Sequence, residues 1–181
     1  MARTVTVAAA QLGPVPLGTE RAAVVSRLID LLERAADRGA SLVVFPELAL
    51  TNFFPRHALD ADGLAPFFET EMPGPATQPL FDAARRLGVG FYLGYAERAD
   101  VDPPAMGFNT AILVDDGGDI LGKYRKVHLP GHGAYDDRRP WQHLEKRYFA
   151  VGDLGFPVWR TMGGMLGMCL CNDRRWPETF R

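Results

Sequence analysis

A cysteine, a glutamate and a lysine each follow an apolar run of this sequence, and the cysteine is the candidate nucleophile. Cys171 comes directly after the stretch Met165 to Leu170, which predicts a buried strand, and Pro177 fits the first position of a helix. The thiol would therefore lie between a strand end and a helix start. Helix N-termini and neighbouring cations favour a thiolate over the free thiol, so we expect Arg174 and Arg175 to lower the pKa of Cys171. The alternative interpretation is a buried structural cysteine.

The glutamate and the lysine are predicted at similar strand ends. The run Leu42 to Phe45 contains β-branched residues and is followed by a proline that cannot prolong a strand, which places Glu47 at a strand mouth. Further along, the cationic run Lys123 to Lys126 ends another strand before a turn at Pro130-Gly131. One of these lysines could reach the same edge of the sheet as Glu47 and Cys171. Otherwise the lysines are surface cations, and the glutamate caps the next segment.

These three segments resemble the motifs of the nitrilase superfamily of carbon–nitrogen hydrolases, and the resemblance runs along the whole chain. The glutamate, lysine and cysteine motifs of the superfamily are similar, in this order, to Phe45-Pro46-Glu47-Leu48, Tyr124-Arg125-Lys126-Val127-His128-Leu129 and Cys171-Asn172-Asp173-Arg174-Arg175-Trp176-Pro177-Glu178. The resemblance implies that Glu47, Lys126 and Cys171 are catalytic. It also implies an α/β fold, the nitrilase-type αββα sandwich, which pairs with another subunit in a dimer or a larger homo-oligomer such as a tetramer.

Within the superfamily, the chain is most similar to the N-carbamoyl-D-amino acid amidohydrolases. The similarity lies in Asn-Asp-Arg-Arg after the cysteine, in Pro130-Gly131-His132 and in the run His143 to Phe149. It implies that Cys171 attacks the carbamoyl carbon of an N-carbamoyl-D-amino acid, that ammonia leaves, and that the Cys-bound intermediate is hydrolysed to D-amino acid and carbon dioxide. Glu47 would be the general base and acid, and Lys126 would stabilise the oxyanion. Other amidases of the superfamily and β-ureido acid hydrolases are the alternatives.

Six further residues are expected to bind the substrate or to support the three catalytic side chains. Arg174 and Arg175 could hold the substrate α-carboxylate through paired charge-assisted hydrogen bonds, or could instead form structural ion pairs. By resemblance, Glu145 orients Lys126 and shares in the proton transfer. The remaining residues implied by the resemblance, which position the carbamoyl group or brace the site, are His128, His143 and Asn172.

The composition of the 181-residue chain fits one soluble domain, because 47% hydrophobic residues can form a real core. A net charge of −2 gives no indication of nucleic-acid binding. Cys169 and Cys171 are too close for a usual disulfide framework, which favours a reducing cytoplasm, and we interpret Cys169 as a core residue. No stretch is apolar and long enough to span a membrane. The cysteine and histidine spacings match no usual zinc site and no phosphate-binding loop is visible, so we expect neither a metal nor a cofactor.

Seven strands and two amphipathic helices are predicted, and their order indicates an α/β fold whose sheet is not purely parallel. Apolar residues at helical spacing predict helices over Val24 to Ala35 and Thr77 to Leu87, each followed by a glycine that can end it. Hairpin turns are expected at Asp115-Asp116-Gly117-Gly118 and at Gly163-Gly164. The predicted strands are Val5 to Ala10, Leu42 to Phe45, Val89 to Ala96, Thr110 to Val114, Ile120 to Tyr124, Pro157 to Thr161 and Met165 to Leu170.

The sequence ends at Phe180-Arg181, soon after the helix predicted to begin at Pro177. Members of the superfamily continue beyond this motif, so the resemblance implies that residues 1–181 are the N-terminal portion of one carbon–nitrogen hydrolase domain, truncated on its C-terminal side. We therefore expect apolar strand faces without cover, and hence marginal stability, aggregation or dependence on a partner. A catalytically silent fragment is the competing hypothesis, because part of the scaffold that holds the site would be absent.

Overall fold

A five-stranded mixed sheet forms the centre of the fold in the computed structural model, which describes residues 4–181. The strands, in chain order and also in spatial order, are β1 (Val7–Ala9), β2 (Leu42–Val44), β3 (Gly90–Arg98), β4 (Gly107–Val114) and β5 (Ile120–Arg125). The first three strands run parallel, and β4 and β5 are added as antiparallel neighbours. The predicted α/β fold with a sheet that is not purely parallel is therefore confirmed.

The α-helices of the described residues are α1 (Arg21–Ala36), α2 (Ala61–Leu64), α3 (Gln78–Leu87), α4 (Glu145–Tyr148) and α5 (Pro177–Phe180). The two long helices, α1 and α3, cover one face of this sheet. In one core cluster, Leu28 and Leu32 of α1 and Phe81 of α3 pack with Phe91 and Ile112 of the sheet. α3 ends at Gly88, whose left-handed φ of 64° is readily available to glycine, as the sequence predicted. α5 begins at Pro177, as predicted, whereas α2 and α4 have too few turns for a periodic pattern and were not predicted.

A separate two-stranded sheet lies against part of the other face. It consists of β6 (Val158–Thr161) and β7 (Gly164–Gly167), which pair antiparallel around a turn at Met162-Gly163, one residue before the predicted position. The ring of Trp159 packs directly on Gly122 of β5, where a Cβ atom would lie only 2.1 Å from the ring. The side chains of Val158 and Met165 point outward and are 58% and 57% exposed.

The prediction of one buried strand from Met165 to Leu170 is wrong. The strand ends at Gly167, and it alternates between half-buried and exposed residues because only one face of the hairpin, with Trp159 and Leu166, packs against the core. Met168 and Leu170 are buried as irregular backbone and join the core on this side of the sheet. Cys171 is therefore reached through a short irregular segment instead of a strand end.

A cluster of aromatic residues fixes the segment that carries Glu145. Phe54 contacts the rings of Phe68, Tyr148 and Phe149, with centroids 5.7 to 6.1 Å apart. The Tyr148 hydroxyl donates to the backbone oxygen of His57 at 2.7 Å. This packing anchors α4, and with it Glu145, beside the sheet. Among residues 4–181, none of the helices combines the length and apolar character that crossing a bilayer requires.

Candidate active site

Lys126 lies at the centre of a buried ionic cluster just beyond the end of β5. Its Nζ donates to Oε1 of Glu47 at 2.5 Å and to Oε2 of Glu145 at 2.7 Å. The side chains of Lys126 and Glu145 are 0% and 1% exposed, and that of Glu47 is 16% exposed. Burial by itself would lower the pKa of Lys126, but the two carboxylates outweigh it and raise the pKa. The ammonium group therefore stays charged and holds the two carboxylates together.

The segment that carries Glu47 continues along β3 after β2 has ended. The N–H of Phe45 donates to the oxygen of Tyr92 at 3.0 Å, and that of Ala49 to the oxygen of Gly94 at 2.8 Å. A Cβ atom on Gly94 would lie 2.9 Å from the Cα of Glu47, so the close approach requires glycine. The next residue, Leu48, has a φ of 49°, which turns the chain away from the sheet. Glu47 is thus placed at a strand mouth, as predicted.

Glu145 is positioned by a turn and a histidine. The N–H of His132 donates to the oxygen of His143 at 2.9 Å, and Gly131 approaches that oxygen so closely that a Cβ atom would lie 2.1 Å from it. His143 then forms a hydrogen bond between its Nε2 and Oε1 of Glu145 at 2.9 Å. The other oxygen of Glu145, Oε2, accepts the hydrogen bond from Lys126. In this geometry His143 braces Glu145, and its partly exposed ring packs edge-on against Phe53.

Cys171 opens a short 3₁₀ helix, Cys171–Arg175, with the strained φ of 43°. Burial raises the pKa of its thiol and the charge of Glu47 raises it further, whereas Lys126 lowers it. The expectation that Arg174 and Arg175 lower this pKa is therefore wrong. The residues that are near in space, above all Glu47, dominate over the two cations that are near in sequence. The thiol is held in its protonated form, next to a carboxylate that can accept the proton.

Asp173 joins the Cys171 helix to the end of β5, and the sequence analysis did not single it out. Its buried Oδ1 accepts hydrogen bonds from the backbone N–H of His128 at 2.9 Å and from the ring Nδ1 at 2.8 Å. Oδ2 accepts from the hydroxyl of Tyr124 at 2.8 Å and from the N–H of Leu170 at 3.1 Å. Burial, followed by the interaction with Asp173, raises the pKa of Tyr124 far above its ordinary value. A single carboxylate thus fixes the segment of Cys171 relative to that of Lys126.

The two other predicted pocket residues of this region also brace the backbone. The amide Nδ2 of Asn172 donates to the oxygen of His128 at 2.9 Å. The ring of His128 stacks on that of Trp176, with centroids 4.9 Å apart and an angle of 8° between the planes. Both residues therefore tie together the two segments that Asp173 connects.

Arg174 and Arg175 are exposed and lie on the surface beside Cys171. Nη1 of Arg174 donates to the backbone oxygen of Cys171 at 2.9 Å, so this side chain curls back over the nucleophile segment. Within residues 4–181, the side chain of Arg175 has neither an ion pair nor a hydrogen bond. The structural ion pairs considered as the alternative are thus not formed among the described residues, and both guanidinium groups retain N–H groups for an anion.

Asn109 is a further polar residue of the cluster that the sequence analysis missed. It is fully buried in β4, and its Nδ2 donates to Oε1 of Glu47 at 2.9 Å and to Oε2 of Glu145 at 3.4 Å. Its signal in the sequence was an amide in the mostly apolar run Gly107 to Val114, where a buried amide needs a polar partner.

Two clefts open at Glu47. The larger one has a volume of about 900 Å³ and is lined by apolar residues such as Leu48 and Trp141 and by the cations Arg56 and Arg139. The smaller one, of about 490 Å³, lies between the sheet and the segment that ends at Cys171, so it contains the thiol as well as Glu47. Chemically, the arrangement offers a thiol, a base for its proton and a fixed ammonium group that could stabilise a developing oxyanion. Together, these three groups are suited to nucleophilic attack on a carbonyl carbon.

Comparison with known proteins gives matches along nearly the whole chain. The sequence pattern of the family described as carbon-nitrogen hydrolase matches residues 6–181. A nitrilase from Pyrococcus abyssi (strain GE5 / Orsay) is 35% identical over 161 residues, covering 86% of this chain and 52% of the nitrilase. An N-carbamoylputrescine amidase from Solanum lycopersicum is 29% identical over 182 residues, covering 99% of this chain and 54% of the relative. The chain thus spans about half the length of the curated relatives it matches.

Solved structures share the fold. The NitN amidase from Neterenkonia sp. AN1 is 26% identical with a TM-score of 0.70, and the match covers 97% of this chain and 60% of the amidase. A variant of the amidase from Nesterenkonia sp. AN1, in complex with butyramide, is 25% identical with a TM-score of 0.70, covering 97% of this chain and 59% of that one. The α/β architecture described above is therefore that of nitrilase-superfamily amidases.

Proposed function

Because the chain belongs to the carbon–nitrogen hydrolase family, we propose that it carries the catalytic side chains of an amidohydrolase that cleaves N-carbamoyl-D-amino acids. The observation that carries this proposal is the ionic cluster, in which Lys126 binds Glu47 at 2.5 Å while the charge of Glu47 acts on the thiol of Cys171. A base, a nucleophile and an oxyanion donor are the three groups that the reaction needs.

The reaction begins with a proton transfer, since the raised pKa of Cys171 leaves its thiol protonated. Glu47 takes this proton as the sulfur attacks the carbamoyl carbon, and Lys126 donates to the oxyanion that forms. The bond to the terminal nitrogen then breaks, and Glu47 returns the proton to the departing ammonia. Water, activated by Glu47, cleaves the carbon–sulfur bond, and the released N-carboxy amino acid loses carbon dioxide. One oxyanion donor typically lowers the barrier by about 3–4 kcal/mol.

The distribution of charge supports a substrate that carries a carboxylate. Arg174 and Arg175 keep free N–H groups beside Cys171, and Arg56 and Arg139 line the larger cleft. Glu47, the carboxylate in that cleft, is already paired with Lys126. A guanidinium group binds a carboxylate through two parallel hydrogen bonds, so an N-carbamoyl amino acid fits these surroundings better than a neutral amide or a cationic amine.

A second candidate function is hydrolysis of a carbamoylated amine. It is favoured by the relatives from Solanum lycopersicum and Solanum tuberosum, both named N-carbamoylputrescine amidase and both 29% identical. Such a substrate would place an ammonium group where this chain presents arginines. The two candidates therefore differ in the sign of the charge that Arg174 and Arg175 meet.

The test is ammonia release from N-carbamoyl-D-phenylalanine, its L-enantiomer, N-carbamoylputrescine and butyramide. We expect turnover of the D-enantiomer, and no turnover by Cys171→Ala. The Arg174→Met and Arg175→Met variants should raise KM for the carboxylate substrate by about 10- to 100-fold, in line with about 1.5–3 kcal/mol for hydrogen bonds to charged groups. They should leave butyramide hydrolysis unchanged.

The control variant is Arg34→Met, which removes an exposed arginine on α1. Acid quenching followed by mass spectrometry would detect a covalent adduct on Cys171 even when turnover is slow. Preference for N-carbamoylputrescine would replace the proposed substrate by the second candidate. Absence of both ammonia and adduct with all four compounds would contradict the amidohydrolase proposal.

A further inference from the structure

The buried side chain of Asn109 binds the same two carboxylate oxygens as Lys126. Its Nδ2 lies 2.9 Å from Oε1 of Glu47 and 3.4 Å from Oε2 of Glu145, and Lys126 donates to both of these atoms. The backbone of Asn109 takes part as well, because its oxygen accepts the N–H of Lys126 at 2.8 Å. Asn109 therefore contacts every charged member of the cluster.

This sharing restrains the carboxylate of Glu47 that interacts with the thiol. Oε1 accepts hydrogen bonds from the ammonium group of Lys126 and from the amide of Asn109, and the side chain of Glu47 also interacts with the thiol of Cys171. A carboxylate held by a single donor can rotate about its terminal bond, whereas two donors on one oxygen fix its plane. The second donor is uncharged, so it restrains Glu47 without adding a cation to the site. The carboxylate of Glu47 is thus held in one place relative to the thiol of Cys171.

The side-chain amide of Asn109 is oriented by its hydrogen bonds to Glu47 and Glu145. Oδ1 of Asn109 is buried without a hydrogen-bond partner among the described residues. A buried unpaired acceptor destabilises a fold, and such groups recur at functional sites. Rotating the amide would bring Oδ1 against the oxygens of Glu47 and Glu145, so the two carboxylates hold the NH₂ group toward them.

We propose that Asn109 is a positioning residue, which fixes the carboxylate of Glu47 so that it meets the thiol of Cys171. The expected effect on turnover rests on the proposed function. The positioning itself, however, concerns only the geometry of Glu47 and the thiol of Cys171. It can therefore be tested by the reactivity of Cys171 even in the absence of a substrate.

The turnover experiment compares Asn109→Leu with Thr110→Val. Thr110 is the matched control, since it is the next residue of β4, is equally buried, and donates to Glu97 outside the cluster at 2.7 Å. We expect Asn109→Leu to lower kcat by about 10²-fold, the typical effect of displacing a reacting group, with KM changed by less than about threefold. Thr110→Val should lower the melting temperature to a similar extent and leave kcat within about twofold. Equal losses of kcat in both variants would overturn the proposal.

The reactivity experiment measures alkylation of Cys171 by iodoacetamide at fixed pH, with peptide mass spectrometry to separate it from Cys169. The substitution Glu47→Gln changes the rate by removing the charge that acts on the thiol. We expect this change to be at least halved in the Asn109→Leu background, because the freed carboxylate no longer faces the sulfur. An undiminished effect of Glu47→Gln would overturn the positioning role, whether or not any substrate is turned over. Should Asn109→Leu fail to fold, Asn109→Ser gives the same comparison with a smaller side chain.

Discussion

At the scale of single residues, burial and the charge of Glu47 together raise the pKa of Cys171. The charged groups that act on the thiol are Glu47, Lys126 and Glu145, of which only Lys126 lowers its pKa. The protonated thiol is therefore favoured over the thiolate. Such a thiol is less nucleophilic than that of cysteines whose surroundings stabilise the thiolate.

This dependence predicts the effect of Glu47→Gln on alkylation of Cys171. Removing the carboxylate charge should lower the pKa of the thiol, because that charge raises it. The pH at which iodoacetamide reacts at half its maximal rate should consequently move downward. The measurement is the pH dependence of alkylation at Cys171, followed by peptide mass spectrometry.

The control for this experiment is Glu178→Gln, which removes an exposed carboxylate seven positions after the cysteine. It should leave the midpoint in place. An upward movement in Glu47→Gln would contradict the electrostatic picture, since burial and Lys126 would then have to change with the substitution.

The sequence could indicate Glu47 and Lys126 because each follows an apolar strand, and strand ends meet at one edge of a sheet. It could not indicate which cations act on Cys171, because Arg174 and Arg175 are close along the chain but point to the surface. Asp173 was hidden in a charged run, where nothing marks one carboxylate as buried. The catalytic roles of Glu47, Lys126 and Cys171 stay proposals until the variants are measured.

At the scale of elements, β3 and β5 are joined by an ionic network on the opposite side of β5 from Lys126. Glu97 of β3 accepts hydrogen bonds from Lys123 at 2.6 Å and from Arg125 at 2.9 Å. Burial alone would raise the pKa of Glu97, but the hydrogen bonds from Arg125, Lys123 and Thr110 outweigh it and lower the pKa to about 2. Alternate residues of β5 and of the position after it thus serve two purposes: Lys123 and Arg125 support the sheet, and Tyr124 and Lys126 support the site.

The network predicts an acid-sensitive contribution to stability. A pKa lowered from 4.5 to about 2 stabilises the fold above pH 4.5 by about 3 kcal/mol. Because the unfolded state binds the proton first, this stabilisation is lost as the pH falls from about 4.5 towards 2. Glu97→Gln should therefore be destabilised near neutral pH, and its difference from the wild type should shrink below about pH 4. Urea unfolding at several pH values measures both effects.

The matched control is Glu33→Gln, which breaks an exposed ion pair with Arg86. Surface pairs contribute about 0–1 kcal/mol, so its unfolding free energy should stay close to that of the wild type at every pH. A pH-independent loss in Glu97→Gln would mean that packing, and not the charge of Glu97, stabilises this part of the sheet.

Most elements could be predicted from their patterns, and the exceptions have clear physical causes. The amphipathic stretches of α1 and α3 and the alternation in β5 depend on residues that are close in sequence. β7 was extended too far because Met168 and Leu170 are buried, and an apolar run does not reveal whether a buried backbone is paired in a sheet. The packing of the β6–β7 hairpin on β5 depends on Gly122, which makes room for the ring of Trp159.

At the scale of the whole molecule, several large apolar side chains face outward. On the hairpin, Val158 and Met165 are 58% and 57% exposed, and Phe180 near the Cys171 segment is 70% exposed. Exposed apolar surface favours association between protein molecules. A homo-oligomer is therefore our proposal for the state of this chain in solution.

The prediction is that the mass measured by light scattering after gel filtration rises with protein concentration. The double variant Val158→Lys and Met165→Lys should shift the mass toward that of a monomer, because the charges oppose burial of the hairpin face. Leu17→Lys is the control, since it charges an equally exposed apolar residue away from this hairpin. A constant monomer mass for the wild type, or equal effects of both substitutions, would contradict an association through β6 and β7.

The reactivity of Cys171 should also depend on how far the chain has folded. Glu47 and Lys126 are 79 residues apart in sequence, and Asp173 binds His128 over a separation of 45 residues. Contacts over such distances form late, because the entropy of closing long loops must be lost first. During refolding, Cys171 would behave as an ordinary thiol until both connections have closed, and only then would it acquire its dependence on Glu47. Pulsed alkylation of this one sulfur would thus time the last stage of assembly.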